Sequence, residues 1–368
     1  MRIALIVERF QPGSGGVENV AWTVAHELAR SGEEVHVFAR CAAESALARV
    51  HHVRVPAQWQ PLRVLTFSRR VAAALRRESF DVVHSFSRTL TQDIYRAGGG
   101  CHAAYLARRH SPRAARFRRA TPRHAVLLWI EGRVFRDPKQ WIQCNSHMVR
   151  RELARNYAVP DARLVVLYNG VDLERFHPRR RESDGARLRR EIGARESPVW
   201  LFAGSGFQRK GLDTALAALA CAAPRDAELW VVGRDAVPAW RALAARCGVA
   251  ERVRFLGPRS DIEAVYAAAD ALLLPTRYDA FANVCLEAAA AGLPVITSRN
   301  NGAAEVIDAS GCVIDDPEDV AAFAKALESV ADPSTRRVFA EAARQRAETL
   351  SWQSHVAGLR ELYRRVRR

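Results

Sequence analysis

Short apolar runs alternate with amphipathic stretches along the whole chain. Ile3–Val7 reads as a buried strand, and a glycine-bearing loop follows it. Val20, Val24 and Leu28 then fall on one face of a helix expected from about Val17 to Arg30, with Gly32 closing it. Val35–Ala39 is the next strand, and further strands are expected at Val53–Val55, Val82–Phe86, Gln140–Cys144 and Leu164–Leu167. Runs apolar on both faces suit a parallel sheet covered by helices on each side. The first part of the chain therefore predicts a doubly wound β-α-β-α sheet.

The rhythm breaks at Asn169-Gly170-Val171-Asp172 and passes through an arginine-rich stretch to about Arg187. Asn-Gly is a turn signal. The same pattern then restarts, with strands expected at Trp200–Ala203, Leu229–Val232, Val253–Leu256, Ala271–Leu274, Val295–Thr297 and Cys312–Ile314. After Pro317 the chain reads as helical, interrupted at Pro333 and Ser351. The predicted class is α/β, with two doubly wound, Rossmann-like domains facing across a cleft: residues 1–168, residues 169–350, and a closing helix over 351–368 that packs back on the first domain. A length of 368 residues fits two domains of roughly 150 residues each. In such folds ligands bind in crevices at the carboxyl ends of the strands.

Composition narrows the class further. With 49% hydrophobic and 26% charged residues the chain is neither disordered, collagen-like nor heptad-dominated. No apolar run approaches the ~20 residues that span a bilayer. The opening apolar run meets Glu8 and Arg9 after five residues, shorter than a secretory leader requires. Seven scattered cysteines without a C-x-x-C pair point to neither a cysteine zinc site nor a disulfide framework, so a reducing cytoplasm is expected. No metal or other cofactor is expected.

Charge changes the picture more. The net charge is +16, and residues 1–168 carry 27 Lys+Arg against 13 Asp+Glu, whereas residues 169–368 carry 29 against 27. Between Asp93 and Glu131 there is no acidic residue but eight arginines: Arg96, Arg108, Arg109, Arg113, Arg116, Arg118, Arg119 and Arg123. Such a block attracts polyanions, whether nucleic acid, an anionic membrane or a phosphorylated substrate. A solvated surface with no partner is the plain alternative.

Three local signals converge on a phosphorylated ligand. Pro12-Gly13-Ser14-Gly15-Gly16 lies between a strand and a helix, where glycines admit a phosphate and a helix N-terminus meets it; a plain tight turn is the other reading. Gly204-Ser205-Gly206-Phe207-Gln208-Arg209-Lys210-Gly211 repeats that position in the second domain. It carries a guanidinium beside one of the chain's three lysines, a pair suited to a diphosphate. Asp279 follows the strand Ala271–Leu274, and Glu287 lies eight residues on within an apolar helix. Those carboxylates can accept from sugar hydroxyls while the intervening N–H groups take phosphate. Alternatively, Asp279 caps the helix and Glu287 faces solvent.

The glycine pair with Glu18, the segment Asn169-Gly170-Val171-Asp172 running to Arg175-Phe176, the triplet Arg209-Lys210-Gly211, and the acidic-x(7)-Glu motif followed by Gly292-Leu293-Pro294-Val295 resemble glycosyltransferase family 4 over essentially the whole chain. Within the family, the loop 204–211, Arg259 twenty residues before the motif's first acid, and Gln92-Asp93-Ile94-Tyr95 with Gly98–His102 look most like lipopolysaccharide core glucosyltransferases that act on heptose. The resemblance implies a GT-B fold, a nucleotide-sugar donor on the second domain, an acceptor on the first, and metal-free transfer with retained anomeric configuration. By the same resemblance Arg209 and Lys210 neutralise the departing diphosphate. N–H groups near Gly15, Gly16, Ala282, Asn283 and Val284 assist them, Glu287 holds the ribose, Asp279 the donor sugar, and Arg259 lies near the base or ribose. Asp279 stands where the family usually has Glu.

Asp93, between the first domain's strand Val82–Phe86 and the basic block on the cleft side, is a candidate catalytic residue, a polar group near the acceptor or the sugar, with a loop carboxylate pairing with Arg88 or Arg96 as the alternative role. The basic block fits a glycolipid or other glycan acceptor in an anionic membrane. There Arg108, Arg109, Arg116 and Arg119 would flank Tyr105, Leu106 and Phe117, and the protein would sit peripherally on the inner face. A nucleotide-sugar epimerase and a soluble-acceptor glycosyltransferase remain open. No nucleic-acid module is present, so no nucleic-acid partner is expected.

Overall fold

The structure is a computed structural model that describes residues 1–13, 15–56, 58–109, 111–194, 196–307 and 310–367; Ser14 of the first glycine loop and the side chain of Arg109 lie outside them. The chain divides into two compact units, Met1–Asn169 with Trp352–Arg368, and Gly170–Ser351.

The first unit is built on a seven-stranded, all-parallel sheet. Its spatial order is Arg49–His52, Glu34–Ala39, Arg2–Ile6, Val82–Ser85, Ile94–Arg96, Trp141–Cys144 and Leu164–Val166. The central strand buries alternate residues on opposite faces. Ile3, Leu5 and Val7 join Val20, Val24 and Leu28 of the helix Gly16–Arg30 and Val356, Leu359, Leu362 and Tyr363 of the helix Trp352–Val366. Ala4 and Ile6 meet Phe67 and Val71 of the helix Gln60–Leu75 on the other face. Each fully buried Leu or Val contributes roughly 1.5–3 kcal/mol of transfer free energy. The helix Trp352–Val366 is further tied in by polar contacts. Tyr363 Oη lies 2.8 Å from His84 Nδ1, Arg360 donates to Glu33 at 2.9 Å, and a Cβ on Gly358 would come within 2.8 Å of Leu167.

Within this sheet two strands depart from the sequence reading. The edge strand is Arg49–His52 rather than Val53–Val55, because it pairs in register with His36–Ala39 and so needs no apolar run of its own. Between Val82–Ser85 and Trp141–Cys144 lies an unforeseen strand, Ile94–Arg96, only three residues long and buried throughout.

The second unit holds a six-stranded parallel sheet in the order Val253–Gly257, Glu228–Val232, Val199–Ala203, Ala271–Leu274, Val295–Ser298 and Gly311–Ile314. Its central strands, including all of Val199–Ala203 and Ala271–Leu274, are buried on both faces. The arginine-rich stretch after Gly170 is anchored rather than loose. Arg181 and Arg189 each donate to the buried Asp270 at 2.5 Å, and Asp270 also accepts from the Val199 N–H. Burial opposes the Asp270 charge, but the two guanidinium groups outweigh it and lower its pKa. Among the described residues no helix is long and apolar enough to cross a membrane.

Candidate functional site

In the second unit, the segments that follow the neighbouring parallel strands Val199–Ala203, Ala271–Leu274 and Val295–Ser298 come together at the carboxyl end of the sheet. The loop 204–211 follows Val199–Ala203. Gly204, Gly206 and Gly211 have φ of +134°, +76° and +80°, where side chains are strained. The packing demands glycine as well, since a Cβ on Gly211 would lie 1.9 Å from the Pro275 carbonyl oxygen. That close approach seats Arg209 and Lys210, in the short helix Phe207–Lys210, against the loop after Ala271–Leu274.

There the three charges meet. Arg209 Nη1 and Lys210 Nζ both donate to Asp279 Oδ2 at 2.7 Å, and Arg209 also donates to the Tyr278 carbonyl at 3.0 Å. The other Asp279 oxygen accepts from the Phe281 N–H at 3.2 Å. Lys210 is buried. Burial disfavours the Asp279 carboxylate, yet Lys210 and Arg209 hold its pKa well below the usual carboxylate range. Two cations thus share one anion, leaving a net positive, partly desolvated cluster with fixed donors, the arrangement that stabilises a developing phosphate charge.

Glu287 lies on the helix Asn283–Ala290, and its Oε2 accepts from Tyr266 Oη at 2.8 Å. Burial raises its pKa, against the bond from Tyr266. Tyr266 is fully buried and was not foreseen from the sequence; its helix, Ile262–Ala268, reads as ordinary core. Arg259 follows the strand Val253–Gly257 and makes a two-pronged pair with Asp261 at 2.8 and 2.5 Å.

Asn301, also unforeseen, holds the entry to the helix Asn283–Ala290. Its Oδ1 accepts from the N–H groups of Ala282 and Ala303, both at 3.1 Å, and its Nδ2 donates to Thr297 and Cys285. The Ala282 N–H is therefore already committed, which corrects its expected availability to phosphate. Asn283 and Val284 remain in the first turn of that helix.

In the first unit Gly16 opens the helix Gly16–Arg30, and Gly15 precedes it with extended backbone. A Cβ on Gly15 would meet only the mobile carboxylate end of Glu18, and its backbone is extended, so neither space nor φ demands glycine there. Asp93 is not near this edge. It begins the strand Ile94–Arg96, where its carboxylate accepts from the Val83 N–H at 2.8 Å and its carbonyl accepts from Gln140 at 2.9 Å. The missed strand reverses the expectation: Asp93 stands at the amino end of its strand, bound to the neighbouring strand, and not at the carboxyl end where ligands of such sheets bind.

The basic block folds into the helices His102–Arg109, Pro112–Arg119 and Pro122–Phe135. Arg113, Arg116, Arg118, Arg119 and Arg123 are exposed, and Phe117 is 76% exposed among them. Other members differ from expectation. Arg96 is buried and donates to Asn169 at 2.7 Å, Arg108 pairs with Glu152 at 3.0 Å, and Leu106 is wholly buried and so cannot insert anywhere. Trp129, 48% exposed, adds a second large aromatic that the sequence reading passed over. Glu131, which ends the acid-free stretch, turns inward and accepts from the His102 N–H and Tyr157 Oη, so it does not dilute the exposed positive charge.

Known proteins agree with this architecture. Residues 14–175 match the family described as Glycosyltransferase Family 4, and residues 197–332 match Glycosyl transferases group 1. The D-inositol 3-phosphate glycosyltransferase of Saccharomonospora viridis is 30% identical over 96% of this chain and 90% of its own. The lipopolysaccharide glucosyltransferase WaaG of Escherichia coli K12 is 27% identical over 95% of each chain. The crystal structure of WaaG, a glycosyltransferase involved in lipopolysaccharide biosynthesis, superposes with a TM-score of 0.86 at 26% identity, covering 98% of this chain and 99% of that one. With two parallel, Rossmann-like sheets of the GT-B kind and these matches across both units, the chain belongs to glycosyltransferase family 4.

Proposed function

We propose that this protein moves a hexose from a nucleotide sugar, in the first instance UDP-glucose, to a glycolipid acceptor of the lipopolysaccharide-core kind, retaining anomeric configuration and using no metal. The Gly170–Ser351 unit binds the donor, and the unit of residues 1–169 with 352–368 binds the acceptor. One observation carries the reading: Arg209 and Lys210 converge on Asp279 at 2.7 Å. In the free protein Asp279 holds the two cations in place. When donor binds, the diphosphate takes over their positive ends, and Asp279 turns its acceptor capacity to a sugar hydroxyl. The bond from the anomeric carbon to phosphate oxygen then breaks, the acceptor oxygen bonds to the same face, and its proton passes to the departing phosphate. No separate protein base is required. Glu287, oriented by Tyr266, accepts from the ribose hydroxyls.

The acceptor side rests on the charge of the first unit. A surface of exposed arginines carrying Phe117 and Trp129 suits a peripheral protein on the cytoplasmic face of an anionic membrane. The name WaaG carries, lipopolysaccharide glucosyltransferase, supports this choice of acceptor. The test is a thermal-shift screen with UDP-, GDP- and ADP-sugars, followed by transfer to a heptose-terminated core in EDTA. Stabilisation by UDP-glucose and an axial product linkage support the reading. Dependence on added Mg²⁺ or an inverted product overturns it, and interconversion of the sugar without acceptor would make the protein an epimerase.

A further inference from the structure

A cluster in the first unit takes no part in the proposed transfer. His36, on the strand Glu34–Ala39, is fully buried, and its Nδ1 lies 2.8 Å from Nε2 of His51 on the edge strand Arg49–His52. Glu78, just beyond the helix Gln60–Leu75, brings Oε2 to 3.9 Å from the same Nδ1. The three ligand-capable atoms all lie within 4.8 Å of one another. We propose that His36, His51 and Glu78 bind a zinc-type divalent cation, leaving a fourth position for water.

The polar groups around the cluster favour that use. His36 Nε2 lies 2.8 Å from Glu34 Oε1. A carboxylate can only accept, so the His36 proton sits on Nε2 and the Nδ1 lone pair is turned toward His51 and Glu78. This is the carboxylate–histidine arrangement that orients imidazole ligands in metal sites. Arg2 donates to Glu78 Oε2 at 2.5 Å and to Glu34 at 3.0 Å, which keeps both carboxylates beside the cluster while Glu78 retains further lone pairs for an ion. In the free protein the His51 proton bridges the two imidazoles. Binding moves it through solvent to the other His51 nitrogen, so no oxidation and no net charge transfer is involved. Zinc bonds to nitrogen and oxygen near 2.0–2.2 Å, which requires ligand separations of roughly 3.3 Å. The 2.8 and 3.9 Å distances straddle that value. His51, half-buried on an edge strand, and Glu78, 29% exposed, are the ligands able to adjust. Two neutral nitrogens and one carboxylate suit zinc rather than magnesium or calcium, which prefer oxygen ligands. The bound ion would fasten the edge strand to the strand Glu34–Ala39 and to the chain after the helix Gln60–Leu75.

The test uses the full chain, stripped with chelator and then titrated with zinc alone in competition with a chromophoric chelator. The expected result is one tightly held zinc, with cobalt in its place giving the intense visible bands of a four-coordinate site. His51→Ala and Glu78→Gln should each weaken zinc binding at least ~10-fold, and Glu34→Gln, which removes only the orienting carboxylate, by about 10-fold. UDP-glucose stabilisation should be equal in all four proteins, which separates this site from the transfer site. The proposal is overturned if zinc is not held at micromolar concentration. It is equally overturned if all three variants bind zinc like the parent, placing the ion elsewhere, for example at the His102–His124 pair, whose nitrogens lie 2.8 Å apart. Should His51→Ala lose its fold by circular dichroism, the partly exposed Glu78→Gln decides the matter.

Discussion

Arginine serves two different physical purposes in the two units. In the second unit, the guanidinium groups around the site and its supporting strand are aimed and neutralised: Arg209 shares Asp279 with Lys210, and Arg181 and Arg189 share Asp270. Such pairs act over a few ångströms in a partly desolvated setting, where geometry decides the energy. The helices Pro112–Arg119 and Pro122–Phe135 instead carry arginines in solvent, where each contributes to a summed field and no single position matters greatly. A net charge therefore says little until its arginines are divided between these two uses. Arg96 makes the point, since it belongs to the basic block in sequence but is buried against Asn169, with burial lowering its pKa to about 10.

The comparison breaks first at the paired cations. Arg209→Ala with Lys210→Ala should lower transfer by about three decades or more while circular dichroism stays that of the parent, because each fixed donor to a developing charge is worth two to three decades. Turnover near that of the parent would remove the site's defining feature. Next comes the diffuse surface. Replacing the exposed Arg113, Arg116, Arg118 and Arg119 with Ser should cut sedimentation with anionic vesicles at low salt by roughly two to three decades, at about 1 kcal/mol per residue. The same binding should fade in ~1 M salt, where the screening length falls to about 3 Å. Undiminished sedimentation would make the block a mere solvated face, and the acceptor a soluble molecule.

Smaller effects sharpen the contrast. Asp279→Asn should cost a few kcal/mol of stability in chemical denaturation at pH 7, because it leaves two cations without their anion. The Asp279 pKa is lowered on folding, so its contribution is present above the unfolded value near 3.9 and is lost as pH falls below it. The difference between variant and parent should accordingly be the same at pH 8 and pH 5. Glu287→Ala should weaken UDP-glucose binding about tenfold by calorimetry, the worth of one or two hydrogen bonds to a carboxylate. Asp279→Glu, restoring the family's usual residue, should change turnover least, and in the upward direction.

Strands that pack on both faces were legible in the sequence because burial forces a continuous apolar run. Ala271–Leu274 appears in the structure with the expected bounds, and Arg2–Ile6 differs from Ile3–Val7 by one residue at each end. Where pairing rather than burial selects the segment, the pattern misled. Arg49–His52 is polar yet paired, and Ile94–Arg96 hides an arginine inside a sheet. The place of Asp93 goes with that strand: the apolar pattern shows none there and so puts Asp93 in a loop. The site's charged members could be singled out because Arg209, Lys210 and Asp279 lie on segments that directly follow strong strands. Asn301 could not, because an asparagine in a turn looks like any other until its two acceptances from Ala282 and Ala303 are seen. Leu106 reads as surface from its neighbours in sequence, whereas helical periodicity turns it inward between Tyr105 and Ala107.

The position of the helix Trp352–Val366 bears on how the chain comes to be folded. Gly170–Ser351 is one continuous stretch and can acquire its whole apolar interior as soon as it has been synthesised. The unit that begins with Met1 cannot. Its central face, formed by Ile3, Leu5, Val24 and Leu28, is incomplete until Leu359, Leu362 and Tyr363 arrive, more than 180 residues after Asn169. During that interval a stripe of apolar surface on the emerging chain is uncovered, the condition under which nascent proteins aggregate or engage chaperones. On the ribosome the order of completion is therefore inverted: the stretch made later closes before the one made first.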